Sequence, residues 1–271
     1  MKLLYVTVAS LALSAPAFAQ NDCATGQTLS EGTLTIATGN PAFYPWVLDD
    51  APASGEGFEA AVAHAIAANM GFEPDAVEWT RSSFDQAIQP GAKDFDITIQ
   101  QFSITPEREE VVDFSIPYYT SAMAVLTTQS VVDNGAEATL DSLKTLTWGA
   151  DANTTAVAML ADLIAPQTGP MLYNDNVDVT AAMQAGQIDA ALFDLPTALY
   201  LSAVVLPDGT LLGQFPADRT ESPDQFGMLM ANESPLKPCV DAALQELIDD
   251  GTLAAIETQW LEETTGVPVI K

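Results

Sequence analysis

Basic residues are scarce in this 271-residue chain: 8 Lys+Arg stand against 37 Asp+Glu, a formal charge of −29. Phosphate backbones are bound by clustered Lys and Arg, so the deficit argues against nucleic acid as a partner. It also argues against docking on an anionic membrane surface, which attracts basic segments. Histidine is scarcer still, with His64 alone. It has no second His or nearby Cys with which to ligate a metal, and a catalytic cysteine would have this one base to draw on. There is no P-loop, no G-x-S-x-G elbow, no zinc spacing, no repeat period and no low-complexity tract. No apolar run is long enough to cross a bilayer as a helix.

What is present is a hydrophobic fraction of 48%, enough to offset the ordering of a globular chain. Length allows one large domain or two lobes of ordinary size. Residues 1–19 read as a secretory signal peptide: Lys2, an apolar core from Leu3 to Leu13, then Ala17-Phe18-Ala19 as the cleavage pattern. Cleavage is expected after Ala19, and the protein is expected to be exported. Only Cys23 and Cys239 remain as thiols. An even count in an oxidising compartment favours their pairing over two free thiols, and so long a loop would stabilise by about 4–5 kcal/mol on the chain-entropy model. The polar Gln20-Asn21-Asp22 before Cys23 is unlike a lipid-attachment site.

Strand and helix patterns alternate. Leu34–Ala37 reads as a strand, and Phe58, Val62, Ile66 and Met70 place one apolar stripe on a helix that Gly71 ends. Val77–Trp79 is a strand, Phe84–Ile88 a short helix and Asp96–Ile99 a strand. The alternation resumes with a strand at Thr145–Trp148, helices at Thr155–Ile164 and Val177–Ala185, a strand at Ile188–Phe193 and a helix at Thr197–Ala203. Two late helices follow, separated by Gly251. This order predicts an α/β architecture with largely parallel sheets.

Gly55-Glu56-Gly57-Phe58-Glu59-Ala60 matches the dinucleotide fingerprint in spelling only. Pro52-Ala53-Ser54 precedes it where a strand is required, so it reads as a turn into a helix. Three other features are better placed. In Asp96 to Arg108, Ser103 and Thr105 expose hydroxyls, Pro106 suits a first helical turn, and Arg108 could grip a carboxylate bidentately. The competing reading is an ion pair with Glu107, Glu109 or Glu110. Asp194 follows a strand, where ligands of open α/β sheets bind; it could accept from an ammonium group or cap the next helix. Asn153-Thr154-Thr155 opens a helix, whose free N–H groups attract carboxylates.

Taken together, Gly57-Phe58-Glu59, the run Ser103-Ile104-Thr105-Pro106-Glu107-Arg108, Val112-Asp113-Phe114-Ser115-Ile116-Pro117-Tyr118-Tyr119, Gly186-Gln187-Ile188-Asp189-Ala190-Ala191 and the closing Asp250-Gly251-Thr252-Leu253 with Gln259-Trp260 resemble the bacterial extracellular solute-binding proteins of family 3. The resemblance covers nearly the whole mature chain. It implies a two-lobed periplasmic-binding-protein fold (type II) with two hinge strands: residues 20–33 as an N-terminal extension, 34–122 with 228–271 as lobe 1, and 123–227 as the inserted lobe 2. The crossings are expected near Met123–Leu126 and Phe226–Leu229.

The resemblance further implies a periplasmic, monomeric component of an ABC importer that binds an amino acid by hinge closure, hands it to a membrane permease, and needs no cofactor. Arg108 would clamp the α-carboxylate with Ser103, and Thr154 and Thr155 would add contacts from lobe 2. Asp194 and the backbone carbonyl of Gln101 would bind the α-ammonium. Phe43, Tyr44 and Trp46 would form a wall over the side chain. The chain departs from the family where Gly39-Asn40 replaces an acid after the first strand, where Gln100 and Gln101 replace small residues, and where Asn153 replaces a glycine. The rival reading is a periplasmic enzyme on the same fold, resembling a cyclic-acid dehydratase. The ligand side chain stays open: Arg81 near the cleft would favour an acid, the Gln pair an amide.

Overall fold

Leu34–Thr38 alternates apolar and polar residues, yet nearly all of it is buried, as expected of a strand covered on both faces. The structure, a computed structural model, describes residues 22–217, 223–261 and 266–271. The leader expected over residues 1–19 lies outside the described residues. The first strands are β1 (Leu34–Thr38), β2 (Val77–Arg81), β3 (Ile97–Thr98), β4 (Val112–Phe114) and β5 (Tyr119–Ser121). The middle of the chain adds β6 (Met123–Thr128), β7 (Trp148–Asp151), β8 (Met171–Tyr173), β9 (Ala190–Asp194) and β10 (Gly209–Phe215). Finally, β11 (Asp224–Phe226) and β12 (Leu229–Ala231) return the chain to its first half.

Two five-stranded sheets result, ordered β2-β1-β3-β12-β4 and β10-β6-β9-β7-β8, with a separate ribbon of β11 and β5. Pairs β1–β2, β1–β3, β7–β8 and β7–β9 are parallel, the pairing that helical crossovers produce. The remaining pairs are antiparallel. In the first lobe, Phe58, Val62 and Ile66 of helix Phe58–Asn69 pack with Leu34, Ile36 and Ile97 and with the helices Lys237–Asp249 and Thr252–Leu261. In the second, alternate residues of β6 and β9 face opposite cores: Leu126 and Phe193 on one side, Val125 and Leu192 on the other.

Several expectations shift. Next to the expected crossings lies the separate ribbon, with Asp224 opposite Ser121 and Phe226 opposite Tyr119; it includes Phe226 and ends two residues before Met123. Met123–Leu126 is wholly buried inside β6, between β10 and β9. The strand expected at Thr145–Trp148 runs Trp148–Asp151, because Thr145 closes a turn on Ser142 O through both its hydroxyl and its N–H. The helix expected to Ile164 is α-helical over Ala156–Met159 and continues as a π-turn over Leu160–Ile164. The last residues, placed with lobe 1 above, lie on the second sheet. Val269 bridges to Gln214, and Leu140 N–H donates to Lys271 O. Ile270 packs into the core there, over the space that Gly213 leaves by lacking a side chain.

Cys23 and Cys239 form a disulfide, with Cα atoms 5.6 Å apart across 216 residues of sequence. It ties the turn Asp22–Ala24 to helix Lys237–Asp249. Among the described residues no helix is long and apolar enough to cross a membrane.

Candidate ligand-binding site

The loop rich in proline and aromatics does local work first. Phe58 N–H donates to Pro45 O at 2.9 Å, and Glu59 N–H to Trp46 O at 3.0 Å. These carbonyls occupy N–H groups that a helix start otherwise leaves free, so the Gly55–Ala60 segment has no phosphate cradle to offer. Gly57 is required at this junction: its φ is +102°, and a Cβ there would stand 2.6 Å from Trp46 O. Trp46 is thereby driven into the core at 1% exposure, edge-on to Phe58, Tyr119 and Phe226.

Between the lobes lies a cavity of about 270 Å³ at the carboxyl ends of β1, β3, β7 and β9, the position where α/β sheets bind ligands. Of the residues singled out from sequence, Phe43, Trp46, Gln101, Ser103, Thr154, Thr155 and Asp194 line it. Two lie outside the lining. Tyr44 packs on Tyr200, ring centroids 5.5 Å apart, over a separate depression. Arg108 sits at the rim and spans the cleft: one terminal nitrogen donates to Ser103 O at 2.8 Å and the other to Asn153 O at 2.9 Å.

Local sequence sets Arg108 in place. Pro106 begins the short helix Pro106–Glu109, and Thr105 caps it by accepting from Arg108 N–H at 3.3 Å. The guanidinium lies 5.2 Å from the Phe84 ring centroid, and Phe84 in turn stacks on Phe102. Burial lowers the Arg108 pKa while Asp224, Asp151 and Glu107 oppose it, and an arginine stays charged throughout. The alternative ion pair with Glu107, Glu109 or Glu110 is not formed. Ion pairs among the described residues join Arg81 to Asp50, Lys144 to Asp141 and Lys237 to Asp241. Arg81 is tied further to Gly39 O and Asp50 O, both at 2.7 Å, and does not line the cavity.

Asp194 serves both readings weighed from sequence. It ends β9 and caps the helix Leu195–Tyr200, accepting from Thr197 N–H at 2.8 Å, and it also faces the cavity. Burial pushes its pKa up to about 6, against the lowering effect of Thr197. Glu59, 0% exposed, accepts from Gln101 N–H at 2.8 Å, from the Gln101 side-chain amide and from the Tyr118 hydroxyl. Burial raises its pKa to about 7. Glu59 thus pins Gln101, whose φ is +49°, in a left-handed conformation that non-glycine residues seldom adopt.

Three further acids of the cavity, Asp151, Asp175 and Asp224, carried no sequence signal that singled them out. Asp151 ends β7 at 4% exposure, and Asp224 begins β11 at 9%. Burial raises the pKa of each. A search for carboxylates at the expected strand ends misses Asp151, because its strand ends three residues beyond the expected Trp148. Gly39 is also explained: a Cβ there would meet the Gln100 side-chain nitrogen at 2.8 Å. The longer side chain at position 100 therefore occupies the room that a side chain at 39 would need.

Two lobes facing each other across a cavity of this size, apolar for the most part with a few carboxylates and hydroxyls, define a protein that traps one small solute. The chain belongs to the bacterial extracellular solute-binding proteins, family 3, whose model matches residues 34–263. It is 29% identical over 211 residues to the L-cystine-binding protein TcyJ of Escherichia coli strain K12, covering 75% of this chain and 73% of that one. It is 26% identical over 207 residues to the arginine-binding extracellular protein ArtP of Bacillus subtilis strain 168, covering 75% and 77%. Among solved structures, an ancestral arginine-binding protein bound to glutamine superposes with a TM-score of 0.70 at 26% identity, covering 86% of this chain and all of the other. These are binding proteins, and they lend no support to the dehydratase-like alternative.

Proposed function

We propose that this protein is the amino-acid-binding component of an ABC importer, exported to the periplasm after removal of residues 1–19, and that it works as a monomer with a membrane permease as its partner and no cofactor. The observation that carries the reading is Asp194, a partly buried acid at the end of β9 that lines the cavity between the lobes. Its place and charge suit an α-ammonium group. Arg108 takes the α-carboxylate: two of its five N–H donors are engaged by Ser103 and Asn153, leaving three. Ser103 and Thr155 stand beside it with their hydroxyls 3.2 Å apart, Thr154 braces the turn through its N–H and hydroxyl on Asp151 O, and Phe43 and Trp46 cover the ligand. A zwitterion touches both lobes only when they are closed, and that differential contact drives closure. Charge-assisted hydrogen bonds of about 1.5–3 kcal/mol each leave roughly −8 kcal/mol, micromolar affinity, after ordering costs.

A thermal-shift screen of the common amino acids finds the ligand, and calorimetric titration of the wild type and Arg108→Ala tests the clamp. At least tenfold weaker binding is expected for the variant. Equal affinity in both proteins overturns the role given to Arg108.

A further inference from the structure

The names of the relatives point to different ligand side chains, so selectivity has to come from this chain's own residues. Among the described residues, five carboxylates line the cavity, Glu59, Asp151, Asp175, Asp194 and Asp224, and no Lys, Arg or His does. Four of them have partners or an assigned role: Asp175, which is exposed, caps the helix Asn176–Gln184 by accepting from Asp178 N–H at 2.8 Å. Glu59 is saturated by Gln101 and Tyr118, Asp224 is engaged by the Ser103 side chain and the Arg108 charge, and Asp194 stands at the α-ammonium position.

Asp151 is different. It is 4% exposed; one oxygen accepts from Asn153 N–H at 3.0 Å, and the other makes no hydrogen bond among the described residues. Two of the charges acting on it, Asp85 and Asp175, are like in sign, and Arg108 alone opposes them. Asp85 itself has a buried carboxylate oxygen without a partner, and so does the side-chain carbonyl of Gln100, which lines the cavity. The cleft therefore holds acceptors in excess of donors. Buried acceptors left without donors are costly, and buried like charges more so. A ligand with an acidic side chain would add to the repulsion, and one with a neutral side chain would leave Asp151 unmatched. A bare metal ion is not the answer either, because no group of three or more metal-ligating side chains is found among the described residues.

We infer that Asp151, with Asp175 beside it, forms a second cation-binding subsite of the cleft that takes the side-chain guanidinium or ammonium of a basic amino acid. The inference rests on the amino-acid reading above and narrows it to one chemical class. A guanidinium offers five N–H donors and an ammonium three, which suits a cleft lined by Asp151, Asp175 and the Gln100 carbonyl.

The test is calorimetric titration, at low salt and neutral pH, of the wild type, Asp151→Asn and Asp175→Asn with L-arginine, L-lysine, L-glutamine and L-cystine. Asparagine keeps the bond from Asn153 N–H at position 151 and remains a good cap at 175, so both variants retain their local structure. The wild type is expected to prefer arginine or lysine over glutamine by at least tenfold. Asp151→Asn is expected to lose at least tenfold in affinity for the basic ligand, with Asp175→Asn losing less, while glutamine binding changes little. If the wild type binds glutamine or cystine as tightly as the basic ligands, the subsite is overturned and the amino-acid reading stands. Basic selectivity that survives Asp151→Asn also overturns it. Failure to bind any amino acid sinks the parent reading and the subsite together.

Discussion

The indole nitrogen of Trp46 donates a 2.7 Å hydrogen bond to Thr197 Oγ1, from the aromatic wall of one lobe to the other lobe. Thr197 N–H is in turn held by Asp194. Thr197 thus connects Trp46 to Asp194, the acid proposed for the α-ammonium group, and the bond exists only while the lobes are together. Thr197→Val keeps the shape but leaves the buried indole N–H without an acceptor, at a cost of about 1–3 kcal/mol to the closed state. Ligand affinity is expected to fall by roughly tenfold, since about 1.4 kcal/mol is a factor of ten. A double-mutant cycle with Trp46→Phe isolates the pair. Additive effects of the two substitutions would show that the bond does not hold the lobes closed.

The fold was largely legible in the sequence because long periodic segments record burial directly. The stripe Phe58, Val62, Ile66 faces the core as expected, and helix Phe84–Ile88 begins and ends where its pattern does. Errors gathered where periodicity is silent. The run Met123–Leu126 looks like any apolar segment, and only pairing with both β9 and β10 shows it to be central. At the site, Arg108 and Asp194 stood out by position after Pro-rich turns and strand ends. Glu59 was marked only by its place in a helix start, and its burial comes from Gln101 and Tyr118, which are distant in sequence. Asp151 was hidden by a strand register shifted by the Thr145 turn. Long-range pairing and local turn chemistry, rather than hydrophobic pattern, decided these positions.

The Cys23–Cys239 bond closes a loop of 216 residues and tethers the N-terminal turn to helix Lys237–Asp249, far from the cleft. On the chain-entropy model, a loop of this length constrains the unfolded state by about 5 kcal/mol. Cys23→Ser, Cys239→Ala, or reduction of the wild type, is therefore expected to lower the thermal midpoint by several degrees. Ligand affinity at a temperature where the protein stays folded should not change. Thermal unfolding with and without reductant, paired with titration, checks both halves; an unchanged midpoint would mean that the bond contributes nothing to stability.

Burial gives the cleft two opposite responses to pH. Glu59 and Asp194 have folded-state pKa values raised to about 7 and about 6, above their ordinary 4.5 and 3.8. Between the ordinary and the raised values the folded state binds more protons than the unfolded state. Stability of the ligand-free protein therefore falls as pH rises from about 4.5 to 7 and levels off above. The thermal midpoint without ligand is expected to be higher near pH 5 than near pH 8, and Glu59→Gln should flatten that slope. Ligand binding runs the other way, because an ammonium group needs Asp194 ionised. Affinity should hold above pH 7 and weaken as pH drops below about 6, by up to roughly tenfold per unit. Titration across pH 5 to 8 reads this directly. If affinity stays constant over that range, Asp194 is not the group that meets the ligand's positive charge.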